Sequence, residues 1–200
     1  MNIYVESNFV LELALMQEQH ESCRKILLLC ERKKANLILP AYSIAEPYET
    51  LIRRERNRKL LAQNIANELQ QLSRTELYKT ESDNYQTVAS FLVKSGEEEN
   101  ERLLQTHKQL LEMAQIIPLE KDVFASALQL KIQFDFSPQD AMVYASVLQH
   151  LNIHKFEKSC FLNKNSKDFD DPDIEESLMK NNCKLLFSFE KGFDYINSQT

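Results

Sequence analysis

Three short apolar runs, Ile3-Tyr4-Val5, Leu37-Ile38-Leu39 and Cys160-Phe161-Leu162, each give way within a few residues to the signals of a helix start. Runs of this length and composition read as strands buried on both faces. Strands that alternate with helices lie parallel, because each crossover helix carries the chain back to the same starting edge. Two further runs, Ile116 to Leu119 and Cys183 to Ser188, complete the set, and Pro118 puts the first of them near an edge or at a strand start. The sequence thus predicts a three-layer α/β/α fold on a central, mostly parallel five-stranded sheet.

In an open parallel sheet the carboxyl ends of the strands face one crevice. Four acids fall at those ends. Glu6 closes the first strand, Glu46 follows the second strand on a helix, Asp140 opens a helix after Ser137-Pro138-Gln139, and Asp168 follows the fourth strand. Acids distant in sequence are thereby expected to meet in space. Gathered carboxylates need a divalent cation to offset their repulsion, and hard cations prefer oxygen ligands. The pattern outlines metal-dependent phosphodiester hydrolysis.

Each acid is also weighed against helix capping. Ser43-Ile44-Ala45-Glu46 and Ser137-Pro138-Gln139-Asp140 match the capping box, and Asn165-Ser166-Lys167-Asp168 is a looser match. Glu6 has no such reading. It ends an apolar run, where a carboxylate costs free energy unless it is paired or metal-bound.

Between these landmarks, residues from about Leu60 to Ala114 read as helical throughout. Leu61, Ile65, Leu69 and Leu72 form one apolar stripe, and Tyr85, Val88 and Leu92, then Leu103, Leu104, Leu110 and Leu111, form another. The acidic stretch Gly96 to Glu101 is compatible with a solvated turn or with an exposed helical segment. The region is expected to be a helical hairpin extending a single domain of residues 1–200.

Only two glycines occur, which excludes a Gly-rich phosphate loop. The four cysteines lack paired metal-ligand spacing and read as buried free thiols, as expected of a cytoplasmic protein. No apolar run is long enough to span a bilayer, and the amino terminus lacks a signal-peptide pattern. The net charge of −6 argues against bulk electrostatic nucleic-acid binding. A local basic cluster of Arg53, Arg54, Arg56, Arg58 and Lys59 is the candidate for backbone phosphate contacts, against the alternative of a solvated helix face. His150 and His154 share a helix face but lack the Glu of a zinc protease motif, and they suit a helix C-terminus. His20 and His107 are expected at the surface.

The segment from Asn2 to Leu13 resembles the opening motif of PIN-domain nucleases, in which an acid after the first strand is trailed by Ser/Thr-Asn. Ser43 to Leu51, Ser137 to Ala141 and Phe161 to Phe169 are similar to the later motifs, in the same order. The resemblance does not extend to the helical region from about 60 to 114. Glu6 stands where the family has Asp, and Asn165 stands where many members carry an acid.

This resemblance implies a Mg²⁺ or Mn²⁺ site held by Glu6, Glu46, Asp140 and Asp168, with Asn165 as a further oxygen ligand. Ser7, Asn8 and Asn163 would touch the metal shell or the phosphate. It implies an endoribonuclease acting on single-stranded RNA. Two alternatives stay open: a non-catalytic PIN-like module binding RNA or protein, and the toxin of a toxin–antitoxin pair held by an antitoxin-like partner. A homodimer is also left open.

Overall fold

Five strands form one parallel sheet in the order β3-β2-β1-β4-β5. They are β1 (Asn2–Val5), β2 (Asn36–Pro40), β3 (Gln115–Ile117), β4 (Ser159–Leu162) and β5 (Cys183–Leu186). The computed structural model describes residues 1–154 and 157–199, and the backbone alone for residues 80–84 and 86. The three central strands are the three apolar runs, and β1 and β4 are buried at every position. Burial on both faces explains why they are continuous apolar runs rather than alternating ones. The register sets Val5 beside Leu162 and Tyr4 beside Ile38. Glu6 and Asn163 therefore leave the sheet side by side.

Helices α1 (Ser7–Leu15), α2 (His20–Glu31), α3 (Ala41–Leu72), α4 (Lys79–Met113), α5 (Lys121–Phe134), α6 (Pro138–Ile153), α7 (Ser166–Phe169), α8 (Pro172–Lys180) and α9 (Phe189–Asn197) connect and follow the strands. Tyr4, Ile38 and Phe161 from the sheet pack with Val123, Phe136, Tyr144 and Phe169 in one apolar core. Phe136 stacks on Phe169 at 4.8 Å, and Tyr144 meets both rings edge-on. This aromatic group anchors the starts of α6 and α7, the helices that carry Asp140 and Asp168.

The chain divides into two compact units, Met1–Pro47 with Gln105–Thr200, and Tyr48–Leu104. The first division falls at Pro47, inside α3, where the missing N–H removes a helical hydrogen bond. Within the second unit Gly96 to Glu101 lies inside α4 as helix, and the break between the long helices falls instead at Ser73 to Tyr78. The stripe expected inward on α3 is only partly so: Leu69 is buried, while Leu61 and Leu72 are exposed. Ala62 takes a buried place that the apolar spacing did not mark.

Two histidine expectations need correction. His107 is buried, with its ring beside the backbone of Ile44, and burial lowers its pKa. His20 is half-buried, its Nδ1 2.6 Å from the Gln17 carbonyl. His150 and His154 stack at 4.3 Å near the end of α6. His150 also meets the Tyr4 hydroxyl at 2.8 Å and Gln115 at 3.0 Å, and burial lowers its pKa. All four cysteines are free thiols; Cys23, Cys160 and Cys183 are buried and Cys30 is half-buried.

Candidate active site

Glu6 is the most constrained acid of the group. It is 7% exposed and occupies the N-cap of α1 in extended geometry. Its Oε2 accepts from the Asn8 backbone N–H at 2.7 Å, and its Oε1 accepts from Lys164 N–H at 3.4 Å. The capping role corrects the reading that Glu6 had none. Glu is an unusual cap because its side chain is long, yet here the strand delivers it directly to the first turn. Burial pushes the Glu6 carboxyl up from 4.5 to about 7, and the nearby Glu46 charge pushes in the same direction. The two backbone donors oppose the rise without cancelling it.

Glu46 lies on α3 and accepts a hydrogen bond from the Ser7 hydroxyl. The capping box expected at Ser43 does not form. The helix begins at Ala41, so Ser43 sits inside its first turn, and its buried Oγ has no described hydrogen-bond partner.

Asp140 keeps the N-cap half of the expected capping box. Ser137 caps α6, its Oγ accepting from Asp140 N–H at 3.1 Å and donating to Asp140 Oδ2 at 2.6 Å. The other Asp140 oxygen faces Asn165 Nδ2 at 3.3 Å, and the same nitrogen donates to Asp168 Oδ2 at 2.7 Å. Asn165 therefore bridges two acids rather than capping α7, for which it makes no side-chain bond. As a metal ligand it would have to present Oδ1 instead. Asn163, 2% exposed, accepts from Asn165 N–H at 2.8 Å and holds the loop in a turn.

The sheet edge thus brings the expected residues together in two groups. Glu6, Ser7, Asn8 and Glu46 form one, and Asp140, Asn165 and Asp168 form the other, joined through Lys164 N–H and the β1–β4 pairing. Among the described residues, no set of three or more His, Cys, Asp or Glu side chains is gathered tightly enough to hold a metal ion. The described ion pairs include none to Glu6, Asp140 or Asp168. The donor set is wholly oxygen, which fits a hard divalent cation and not a thiolate- or imidazole-loving one.

One pair escaped sequence reasoning. Glu12 on α1 is 1% exposed, and its carboxylate holds Lys164 Nζ at 2.5 Å and accepts from Gln19 N–H at 2.7 Å. A carboxylate within the apolar run Phe9 to Leu15 was the available signal. The pair ties the loop after β4 to α1 beside Glu6.

The basic cluster lies in the second unit, where it is partly neutralised. Arg58 makes a two-pronged pair with Glu99 at 2.8 and 2.9 Å, and Lys59 meets Glu55 at 2.5 Å. Arg53 and Arg56 are exposed and Arg54 is half-buried. No helix among the described residues is long and apolar enough to cross a membrane.

Among solved structures, the chain is similar to VapBC2 from Rickettsia felis bound to a promoter DNA fragment, at 10% identity and a TM-score of 0.46, covering 93% of this chain and 98% of that one. It is also similar to FitAB bound to an IR36 DNA fragment, at 14% identity and a TM-score of 0.42, covering 92% and 93%. No curated protein sequence matches it. The sequence matches the family model described as PIN domain over residues 3–169. That match takes in β1 through α7, and with it every acid of the candidate site, so the chain belongs to the PIN-domain family.

Proposed function

We propose that the chain is a metal-dependent endoribonuclease that hydrolyses phosphodiester bonds in single-stranded RNA. What supports this reading is the pairing of Asp140 with Asp168 through Asn165, and of Glu6 with Glu46, within a chain of the PIN family, whose members generally use divalent metal ions. Glu6, Glu46, Asp140 and Asp168 would hold Mg²⁺ or Mn²⁺. When bound, such an ion lowers the pKa of a water and stabilises charge on the phosphate.

The chain's own residues supply orientation and charge. Asn165 fixes the Asp140 and Asp168 carboxylates against each other. Ser7 steers Glu46, and the Glu12–Lys164 pair holds the backbone that donates to Glu6. Glu6, with a pKa near 7, is partly protonated at neutral pH, and a cation beside it favours the ionised form. Binding of such an ion would be coupled to loss of the Glu6 proton and would weaken as pH falls below about 7.

The test is cleavage of unstructured RNA by purified protein with Mn²⁺ or Mg²⁺. EDTA should stop it. Asp140→Asn should lose cleavage while melting no lower than wild type, because one carboxylate charge near Asp168 is removed. An Asp140→Asn protein that cuts RNA as fast as wild type would refute the site. A wild type that cuts nothing would favour the non-catalytic module.

A further inference from the structure

The Asn165 amide faces Asp140 and Asp168 with its nitrogen. Nδ2 donates to Asp168 Oδ2 at 2.7 Å and lies 3.3 Å from Asp140 Oδ1. An ionised carboxylate only accepts hydrogen bonds, so the nitrogen of this amide and not its oxygen must point at the two acids. Each of the two amide hydrogens then serves one acid. None of the described ion pairs reaches Asp140 or Asp168. The described side-chain donors that do reach them are neutral: the Ser137 hydroxyl, 2.6 Å from Asp140, and the Asn165 amide. Like charges at close range disfavour each other, and a polar NH2 group between them offsets part of that cost.

The Asn165 backbone is pinned while its side chain is free to turn. Its N–H donates to Asn163 Oδ1 at 2.8 Å, and its carbonyl accepts from Phe169 N–H at 3.2 Å. Asn163 and Phe169 are both buried, so neither anchor moves with the side chain. The terminal torsion of Asn is broad and roughly two-fold, so the amide turns over with little strain. The charge it faces decides its direction. Two carboxylates alone draw the nitrogen inward. A divalent cation between them repels the N–H groups and takes the amide oxygen instead. The two arrangements exclude each other. They also differ in span, because Mg²⁺ holds its oxygens at about 2.0–2.1 Å, shorter than either amide contact. Exchange of the amide nitrogen for the ion draws the two acids inward.

We propose that the Asn165 amide is a built-in stand-in for the cation: without the ion its nitrogen holds Asp140 and Asp168 together, and ion binding turns it over to present Oδ1. This rests on the reading of these acids as a metal centre. An acid at position 165 would add a third charge and offer no N–H. Asn165 therefore keeps the pair assembled before the ion arrives, and it binds the ion less tightly than an acid would.

The full chain, stripped of metal by EDTA and dialysis, is titrated with Mg²⁺ and followed by calorimetry and by its side-chain amide signals in nitrogen–proton spectra. Asn165→Ser identifies the Asn165 pair by its loss. Mg²⁺ should move both Asn165 amide protons upfield as their bonds to carboxylate are given up. Without metal, Asn165→Asp should melt about 2–4 °C below wild type, the shift that one lost hydrogen bond gives at this chain length. It should bind Mg²⁺ at least about tenfold more tightly, since ligand charge tunes affinity at such sites. Heat of binding with an unmoved Asn165 pair would overturn the proposal and leave the metal centre standing. So would an Asn165→Asp protein that melts no lower than wild type without metal. A wild type that binds neither Mg²⁺ nor Mn²⁺ would sink the metal centre itself, and this proposal with it.

Discussion

Replacing Glu6 by Gln removes a buried charge while keeping the side chain's shape. The folded protein binds the Glu6 proton more tightly than the unfolded chain, since burial holds its pKa near 7 against 4.5. Stability therefore declines as pH rises, beginning near 4.5 and levelling off above about 7. Linkage converts the interval into about 3 kcal/mol of lost stability at pH 8 and about 1 kcal/mol at pH 5. Gln keeps one acceptor for the Asn8 N–H at 2.7 Å and gives up the longer contact from Lys164 N–H at 3.4 Å. That loss is the same at every pH, so it drops out of a comparison between two pH values. Urea unfolding of both proteins in metal-free buffer gives the quantity needed. The stability of Glu6→Gln relative to wild type should be about 2 kcal/mol more favourable at pH 8 than at pH 5. If the two proteins lose stability in parallel across that range, Glu6 is not held near 7 and the account of its burial is wrong.

Three further outcomes follow from the same geometry. Glu6→Asp should narrow a preference for Mn²⁺ over Mg²⁺ in RNA cleavage, because the shorter acid suits the stricter octahedral geometry of Mg²⁺; an equal loss with both ions would count against this. Lys164→Met leaves Glu12 buried without its cation and should lower unfolding free energy by about 3 kcal/mol, the low end for a broken buried pair, since Lys164 is 31% exposed. Glu12→Gln/Lys164→Met should recover much of that loss, and a double variant as unstable as the single one would show that the pair matters by packing alone. Gly192→Ala would place its Cβ 2.8 Å from Leu162 Cδ2, and Leu162 is fully buried at the end of β4. Overpacking there should destabilise by about 1–3 kcal/mol, read as a lower melting temperature.

The strands were legible because each is a short run of apolar residues buried on both faces, a pattern that depends on composition and not on which neighbour covers it. Pro118 likewise marked the third strand as a border, and β3 is an edge of the sheet. The parallel arrangement then put the acids after β1, β2 and β4 on one edge. The candidate site was visible to that extent. Ser137 was legible as a cap because a cap and its partner lie three residues apart on one chain.

What the sequence left open depends on partners distant in the chain. Glu6 caps α1, but its raised pKa comes from burial by elements packed over it, and the Lys164 N–H, 158 residues later, works against that rise. Asn165 bridges Asp140 and Asp168 only because α6 and the loop after β4 meet at the core aromatics. His107 was expected at the surface, yet it is buried. In helix α5 Val123 and Ala127 are buried while Phe124 and Leu128 are exposed, a division that only the fold makes. Local periodicity is set by backbone geometry and is written in each segment. Burial, charge pairing and exposed faces are set by which segments the tertiary structure lays against one another.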